Sequence, residues 1–346
     1  MSLFPEIINP LERADWNDLI GAMPGTSFFH SSNWARVLFA TYDYEPLYFC
    51  IVEGGRLSAL VPLMDVRSFL TGRRGVSLPF TDYCAPVFHD KAYKNCLLES
   101  MRDYGRKRGW KYIEFRGGDN LAKNAACYHF YYGHTMSLAG SEEELISRMR
   151  DSTARNVRKA LKLGVRTEIS TSRESLGEFY RLNCITRKKH GLPPQPFPFF
   201  RNIHEHILSK NLGMVVLASC GSRYVAGGVF FRFGDDAIYK YGASDPDYQE
   251  LRPNNLVMWE AIRRYADEGC KTLNLGRTDQ EAAGLRQYKT GWGANEQIIR
   301  YFRYDPVHDC FAGNCSPERK PCYDMFRWLP IPLLKMAGNA LYRHMG

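Results

Sequence analysis

The chain has 346 residues, with 46 Lys plus Arg against 37 Asp plus Glu, so its formal net charge is +9. Hydrophobic residues make up 45% of the sequence and charged residues 24%, a globular composition that excludes disordered and collagen-like chains. The basic excess favours a polyanionic partner, which is a nucleic acid, a phosphate-bearing molecule or an anionic membrane surface.

The sequence has no long apolar run and does not begin with a basic and then an apolar stretch. We therefore expect neither a membrane-spanning helix nor a secretory signal. Ten cysteines without regular close pairing suit a reducing compartment. These features predict a cytoplasmic protein, either free or held peripherally at the inner face of the membrane.

The first half of the chain alternates helix and strand signals. A hairpin is predicted where strands 46–52 and 57–64 flank the turn Glu53-Gly54-Gly55-Arg56. Residues 91–108 have helical periodicity, and a short strand is predicted at 112–115.

The second half repeats this order. Residues 141–163 carry the strongest helical pattern, which Ser141 and Glu144 begin as a capping box. The elements predicted after it are strand 165–169, helices 173–190 and 199–210, hairpin strands 213–220 and 224–233, strand 236–242, a helix from Asn254 or Asn255 to about Glu268, and strand 271–275. The matching order of the two halves indicates duplication of a whole α+β unit.

Residues 239–292 carry a pattern that is more specific than any one of its parts. These parts, with shorter runs from the first half, are Tyr239-Lys240-Tyr241-Gly242-Ala243-Ser244, Leu251-Arg252-Pro253-Asn254-Asn255-Leu256, Trp259, Leu275-Gly276-Arg277-Thr278, the run from Gly284 to Gly293, Phe28-Phe29-His30-Ser31 with Trp34, the run from Ser77 to Pro86, and Arg155-Asn156-Val157-Arg158-Lys159-Ala160. In combination they resemble the FemAB-like branch of the GNAT acyltransferase superfamily, and the resemblance covers residues 1–305.

The resemblance implies an α+β fold of two tandem GNAT-like domains, each a mixed, mostly antiparallel sheet flanked by helices. We place these domains at residues 1–140 and 141–315, followed by a tail, 316–346, that packs on the first domain.

The resemblance also implies an N-acyltransferase or aminoacyltransferase. Such an enzyme would move an activated acyl group onto an amine of a cell-wall (peptidoglycan) or surface-polysaccharide (exopolysaccharide) precursor. The donor is either aminoacyl-tRNA or acyl-CoA, and no permanently bound cofactor is expected. The acceptor is expected to be a phosphate-bearing or lipid-linked saccharide precursor. The alternative is a non-catalytic module that binds RNA or polysaccharide on a degenerate GNAT scaffold.

Lys289 is the principal catalytic candidate. Acyl transfer to an amine passes through a tetrahedral oxyanion, which needs positive charge or N–H donors nearby. Lys289 lies between Tyr288 and Trp292, where partial desolvation would strengthen its field, and Trp292 is a substrate-binding candidate beside it. In the family a lysine at this place acts at the reacting centre. The competing interpretation is a surface lysine beside an aromatic strand.

The run Arg252-Pro253-Asn254-Asn255 precedes a helix, where GNAT enzymes bind the pyrophosphate of acyl-CoA on a glycine-rich loop. This run has no glycine, and its proline removes one N–H donor. The sequence therefore argues against an ordinary coenzyme A site. Asn254 is a substrate-binding candidate and also a helix N-cap by its position.

Three further side chains are candidates for the path of the substrates. Tyr239 and Tyr241 are two apart on a predicted strand and would share one face, either lining a channel or forming a half-buried pair. Asp82 lies where family members contact the acceptor, and it would orient or deprotonate an amine or simply cap a turn. Glu114 is a weaker acid–base candidate.

The helix over 141–163 carries a basic stripe. Arg155 and Arg158 lead it, with Lys159 and Lys162 spaced three and four residues apart on the same side. The stripe is either a phosphate-binding or tRNA-binding surface or a solvated helix face.

No metal site is expected. His204 and His206 are two apart on a predicted helix, and the cysteines Cys310, Cys315 and Cys322 match no standard zinc spacing. The tail is cationic and apolar around Trp328, so it either lies at a membrane interface or packs across the first domain.

Overall fold

The computed structural model describes residues 4–122, 125–312 and 324–346. Cys315, Cys322 and residues 316–323 of the predicted tail lie outside these ranges. In chain order the strands are β1 (Glu6–Ile8), β2 (Glu45–Glu53), β3 (Arg56–Ser68), β4 (Gly72–Val76), β5 (Val87–Phe88), β6 (Ile113–Arg116), β7 (His129–Ser137), β8 (Arg166–Ser170), β9 (Gly213–Cys220), β10 (Arg223–Phe233), β11 (Asp236–Ser244), β12 (Thr272–Thr278), β13 (Asn295–Asp305) and β14 (Cys310–Phe311).

The helices are α1 (Trp16–Gly21), α2 (Ser32–Tyr42), α3 (Tyr93–Arg108), α4 (Glu142–Ser147), α5 (Asp151–Lys162), α6 (Arg173–Lys189), α7 (Phe197–His206), α8 (Pro253–Asp267), α9 (Ala283–Thr290), α10 (Asp324–Trp328) and α11 (Ile331–Leu341). Among the described residues, no helix is both long and apolar enough to cross a bilayer.

The chain divides into two compact units. Unit 1 contains the described parts of Met1–Tyr131, Ile298–Arg319 and Leu341–Gly346, and unit 2 contains those of Tyr132–Gln297 and Lys320–Ala340. The tail thus contributes to both units. In unit 2, the Lys335 ammonium of α11 lies 5.1 Å from the ring centre of Tyr180.

The sheet of unit 1 runs in the order β1-β2-β3-β4-β6-β13. Its pairs are antiparallel except for β4 and β6, which are parallel and are joined through α3, as a parallel connection requires. Side chains of β2 alternate between the two faces. Phe49 packs with Leu97 of α3, whereas Tyr48 contacts Trp16 at a ring distance of 5.4 Å.

The sheet of unit 2 runs in the order β7-β12-β11-β10-β9-β8. Its pairs are also antiparallel except for one, β11 and β12, which are joined through α8. Val216, Ala218 and Phe230 meet Leu256 and Ile262 of α8 in the main core. Each unit therefore has a mixed, mostly antiparallel sheet with a helical crossover, which confirms the predicted α+β fold class.

Residues 141–163 form two helices rather than the single predicted one. The predicted capping box is present, since Ser141 Oγ accepts from the N–H of Glu144 at 3.3 Å and begins α4. The backbone of Arg150 is extended, and its N–H donates to the carbonyl of Gly291 at 2.9 Å. The helix breaks because this N–H pairs with a distant segment, a tertiary contact that overrides local periodicity.

A buried histidine makes the stability of unit 1 depend on pH. The N–H of Ser27 donates to His30 Nδ1 at 3.0 Å, so Nε2 carries the proton and donates to the Ala85 carbonyl at 3.0 Å. Burial lowers the pKa of His30 from 6.5 to about 4. Because the unfolded chain binds this proton more readily, acid favours unfolding.

We predict that the free energy of unfolding falls by up to about 3 kcal/mol between pH 6.5 and pH 4 through His30 alone. Urea denaturation at both pH values should show a smaller pH-dependent loss in His30→Gln than in the parent. His89→Gln, at an exposed position, is the matched control and should keep the parental dependence. An unchanged dependence in His30→Gln would contradict this account.

Candidate active site

The candidate site lies in unit 2, where two parallel strands part. Over the described residues of both strands, β11 pairs with β12 from Asp236 to Ile238 and from Thr272 to Asn274. The register between the two strands does not extend to the rest of each strand, 239–244 and 275–278, and we call the space between these two segments the gap. Ligands of open sheets commonly bind outside the carboxyl ends of parallel strands, so this divergence is a natural binding position.

Lys289 lies at this divergence. It belongs to the last turn of α9 and is only 3% exposed. Its Nζ donates to the carbonyl of Gly276 at 3.1 Å and to that of Arg277 at 2.8 Å. The competing expectation of a surface lysine is wrong, because the ammonium is buried against β12. A buried, hydrogen-bonded ammonium supplies a fixed positive charge in dry surroundings, as oxyanion stabilisation requires.

A bulge in β12 presents these two carbonyls. The register of β12 with β7 shifts between Asn274 and Arg277. Gly276 has φ of +72°, a left-handed conformation that glycine adopts without steric cost. The Gly276 N–H donates to Asn274 Oδ1 at 2.7 Å, which closes the bulge locally. Bulges of this kind re-aim backbone groups beside functional sites, and here the groups are the acceptors for Lys289.

Aromatic side chains join α9, which carries Lys289, to α8 and the core. Tyr288 Oη donates to the Asn254 carbonyl at 3.1 Å and thereby joins α9 to the first turn of α8. Burial raises the pKa of Tyr288 well above its usual value, with the neighbouring Tyr239 adding to the effect. Burial also raises the pKa of Tyr239 to about 12. Both phenols are therefore neutral hydrogen-bonding groups at physiological pH.

Asn254 does not cap α8, contrary to the positional expectation. The helix begins one residue earlier, at Pro253, and the N-cap is Arg252 with φ of +57°. Asn254 instead lies in the first turn, and its Nδ2 donates to Ser244 Oγ at 3.1 Å. Pro at the first helical position explains the shift, because its φ is pre-set for a helix and its missing N–H is not needed there.

The prediction that Tyr239 and Tyr241 share a face is wrong. Val229 pairs with Tyr241 and Phe230 with Tyr239, so Lys240 is an extra residue that forms a bulge in β11. Tyr239 contacts Phe230, in the core beneath α8. Tyr241 instead contacts Phe199 and Phe200 of α7. The bulge interrupts the two-residue alternation on which the prediction relied.

A second group of side chains, formed by His134, Glu296 and Arg286, lies beside Lys289. His134 of β7 is fully buried, and its Nε2 lies 3.1 Å from Glu296 Oε2. Glu296 in turn accepts two hydrogen bonds from the Arg286 guanidinium, at 2.6 and 2.5 Å. The guanidinium also stacks on the ring of Tyr132, 3.8 Å from its centre. The chain of contacts therefore runs from α9 through β13 to β7.

Electrostatics keep this group in one protonation state. Burial lowers the pKa of His134, and the positive charge of Lys289 lowers it further against the opposing effect of Glu296. The hydrogen bond from Arg286 lowers the pKa of Glu296. At neutral pH the site thus contains a neutral imidazole, a carboxylate and two cations.

Trp292 is fully buried in the core of unit 2, with its ring 6.0 Å from that of Tyr288. The glycines on either side of Trp292 lack side chains, which leaves room for the segment between α4 and α5 to pack against them. A Cβ on Gly293 would lie 2.6 Å from the carbonyl oxygen of Arg148, and one on Gly291 would lie 2.6 Å from Thr153 Oγ1. The run Gly291-Trp292-Gly293 therefore anchors the start of α5 next to the end of α9.

Arg155 and Arg158 are exposed on α5, as their spacing predicted. Val157 and Ala160 bury the opposite side of the helix in the core. Lys159 forms one loose ion pair, with 3.9 Å between its Nζ and Glu250 Oε2. The start of α5 is bonded to Gly291, two residues after Lys289, so its basic face belongs to the same part of unit 2 as Lys289.

Two predicted acidic residues belong to unit 1. The Asp82 carbonyl accepts from Tyr301 Oη at 2.7 Å, and its carboxylate stays a candidate for orienting the acceptor. Glu114 lies between the guanidinium groups of Arg116, at 3.0 Å, and Arg303, at 3.3 Å. Burial alone would raise the pKa of Glu114, but these two arginines lower it on balance. Glu114 is therefore a paired carboxylate at neutral pH and a poor proton donor.

Sequence reasoning missed His134, Glu296 and the role of Arg286. They come from three elements, β7, β13 and α9, and no motif links them along the chain. Only Arg286 lies within the run that carried the resemblance. In the sequence, the only hint was that His134 follows a run rich in aromatic residues.

Residues 147–290 match the family model described as an acetyltransferase (GNAT) domain. The Lipid II:glycine glycyltransferases of Staphylococcus haemolyticus and Staphylococcus epidermidis are 33% and 32% identical to the chain over 76 residues. Each alignment covers 20% of this chain, and the chain spans only 18% of the length of either relative.

Two solved structures share the fold. The crystal structure of FemX has a TM-score of 0.68 at 16% identity, over 88% of this chain and 97% of FemX. A tandem GNAT protein from the clavulanic acid biosynthesis pathway has a TM-score of 0.56 at 10% identity, over 88% of this chain and 99% of that one. Together with the family model, these similarities confirm the predicted tandem-GNAT fold and the FemAB-like resemblance.

We predict that Glu296→Gln moves the titration of His134 to lower pH. The carboxylate favours the imidazolium through its hydrogen bond and charge, and the neutral amide removes that charge. An NMR titration of the imidazole measures the midpoint directly. Glu174→Gln, on α6, is the control and should leave it unchanged. A midpoint that stays in place or rises in Glu296→Gln would show that the two groups are not coupled.

Proposed function

We propose that this chain is a FemAB-like acyltransferase of the GNAT superfamily that moves an aminoacyl or acyl group onto an amine of a cell-envelope precursor. The observation that carries the proposal is the buried Lys289 ammonium at the divergence of β11 and β12. This site combines a buried, fixed cation with the ends of two strands that flank a gap.

The chemistry follows from this geometry. The acceptor nitrogen forms a bond to the acyl carbon, and the carbonyl oxygen becomes an oxyanion. Lys289 stabilises that oxyanion, which then collapses and expels the donor's oxygen or sulfur as leaving group. The amine proton is lost to a base and reaches the leaving group. Because the attacking group is an amine, no covalent acyl-enzyme is needed.

The entrance to α8 favours aminoacyl-tRNA as the donor over acyl-CoA. Pro253 has no N–H, and the N–H of Asn255 already donates to the Arg252 carbonyl at 3.0 Å. The helix N-terminus thus offers few donors to a pyrophosphate. A tRNA donor is compatible with the exposed Arg155 and Arg158, because phosphate backbones bind such basic faces.

The acceptor we propose is a lipid-linked, phosphate-bearing saccharide precursor. Support comes from the curated relatives, which are named Lipid II:glycine glycyltransferases. A basic face and a net charge of +9 suit a polyanionic acceptor of this class.

We predict that Lys289→Met lowers kcat by about a hundredfold to a thousandfold. Transfer from charged tRNA and from acyl-CoA should be compared side by side on amino-sugar and lipid-linked acceptors. Lys271→Met, which removes an exposed lysine just before β12, is the matched control and should keep parental turnover. Circular dichroism checks the fold, since methionine leaves the Gly276 and Arg277 carbonyls without their donor.

Parental turnover in Lys289→Met would contradict the role of this lysine. Absence of transfer from either donor, together with salt-dependent RNA binding, would instead establish the alternative of a non-catalytic binding module.

We also predict that the double variant Arg155→Ala/Arg158→Ala weakens binding of the phosphate-bearing substrate. The negative slope of log affinity against log salt concentration should become shallower by about 1 to 2, because each lost phosphate contact releases fewer counterions. The double variant Arg201→Ala/Lys210→Ala removes the same charge at exposed positions elsewhere in unit 2. An equal change in both double variants would mean that net charge, rather than α5, sets the affinity.

A further inference from the structure

The turn between β3 and β4 exposes two large apolar side chains side by side. Phe69 is 85% exposed and Leu70 is 57% exposed. Single exposed apolar residues are ordinary on a protein surface, whereas a contiguous exposed apolar patch often marks an interaction site. We call this pair, with the 44% exposed Met345, the apolar tip.

The turn is rigid although its apolar side chains point to solvent. Ser68 Oγ accepts from the N–H groups of Leu70, at 3.1 Å, and Thr71, at 2.9 Å. Arg74 Nη1 donates to Thr71 Oγ1 at 2.6 Å, and Lys111 Nζ donates to the Thr71 carbonyl at 3.2 Å. None of these bonds involves the side chain of Phe69 or Leu70, so the two apolar side chains are not needed for them.

A later segment of unit 1 supports the same turn. The ring of His344 packs edge-on against Phe69 at 4.4 Å, and its Nδ1 lies 3.0 Å from Ser68 Oγ. Thr71 Oγ1 donates to the His344 carbonyl at 3.1 Å. Met345 follows His344 directly and is also exposed. A preformed surface of this kind loses little conformational entropy on binding.

Basic residues surround the apolar tip. The turn is flanked by Arg67, Arg73 and Lys111, and Arg343 precedes His344. Two carboxylates pair with these cations: Glu45 with Arg67, and Asp65 with Arg67 and Arg73. Lys111 bonds to a backbone carbonyl rather than to a carboxylate. Positive charge therefore exceeds negative charge around an apolar centre, which is the composition of surfaces that bind anionic bilayers.

We propose that the apolar tip inserts Phe69 and Leu70 into the interface of an anionic phospholipid membrane. This proposal rests on the proposed function, because a lipid-linked acceptor is what brings the chain to a bilayer. The charge complementarity argues for lipid rather than a second protein. The tip would hold unit 1 at the membrane surface.

The test is co-sedimentation of the full chain with vesicles of phosphatidylcholine containing about a quarter phosphatidylglycerol. The double variant Phe69→Ser/Leu70→Ser should bind about a hundredfold more weakly, since two side chains no longer transfer from water to lipid. Phe39→Ser/Val307→Ser removes exposed apolar residues elsewhere in unit 1 and should keep parental binding. Pure phosphatidylcholine vesicles should bind the parent more weakly.

A parallel variant, Trp328→Ser/Met336→Ser, tests the tail, where both side chains are strongly exposed. Loss of vesicle binding in this variant, with retention in the Phe69→Ser/Leu70→Ser variant, would overturn the proposal. So would a change of oligomeric state in the latter without any change in vesicle binding, because the tip would then dock on protein.

Transfer assays separate this proposal from the function on which it rests. The tip variant should keep parental turnover on a water-soluble acceptor and lose it on the same acceptor anchored in vesicles. Equal turnover on both would overturn the proposal. Tip-dependent vesicle binding with no transfer to any acceptor would support membrane insertion and contradict the proposed function.

Discussion

The hydrogen bonds between the Lys289 ammonium and the carbonyls of Gly276 and Arg277 organise unit 2 around one point. A lysine that is almost completely buried is costly to desolvate, and it persists only where backbone dipoles compensate its charge. The bulge at Gly276 supplies those dipoles, and it also shifts the register of β12 with β7. The part of β12 that compensates the cation is thus also the part that is not paired with β11.

The segments around Lys289 are arranged to keep it there. Tyr288 joins α9 to α8 through the Asn254 carbonyl, and the glycines beside Trp292 let the α4–α5 junction pack over the end of α9. Arg286 donates hydrogen bonds to Glu296, and Glu296 is in turn within hydrogen-bond distance of His134. These contacts connect α9 with α8, the α4–α5 junction and β7, so displacement of α9 would disturb the core, the basic face of α5 and the buried imidazole together.

Local patterns predicted much of the fold. The hairpins β2–β3 and β9–β10, the helices α3, α6 and α8, and the strand β12 lie within a few residues of their predicted bounds, because turn chemistry and periodicity act over short distances. The predictions failed where a distant partner decides the geometry. The N–H of Arg150 pairs with Gly291 and breaks a helix, and the bulge at Lys240 turns Tyr241 away from Tyr239. Lys289 itself was predicted from family resemblance, whereas the group formed by His134, Arg286 and Glu296 has no signature along the chain.

The central claim is that Lys289 binds the oxyanion of the tetrahedral intermediate rather than the ground-state substrates. A phosphonate analogue of that intermediate tests it directly, with its inhibition constant and kcat/KM both measured across Met, Gln and Arg substitutions at position 289. The account predicts that analogue affinity falls in proportion to kcat/KM while the acceptor's dissociation constant stays near the parental value. Unchanged analogue affinity in Lys289→Met, despite a loss of kcat/KM, would contradict it.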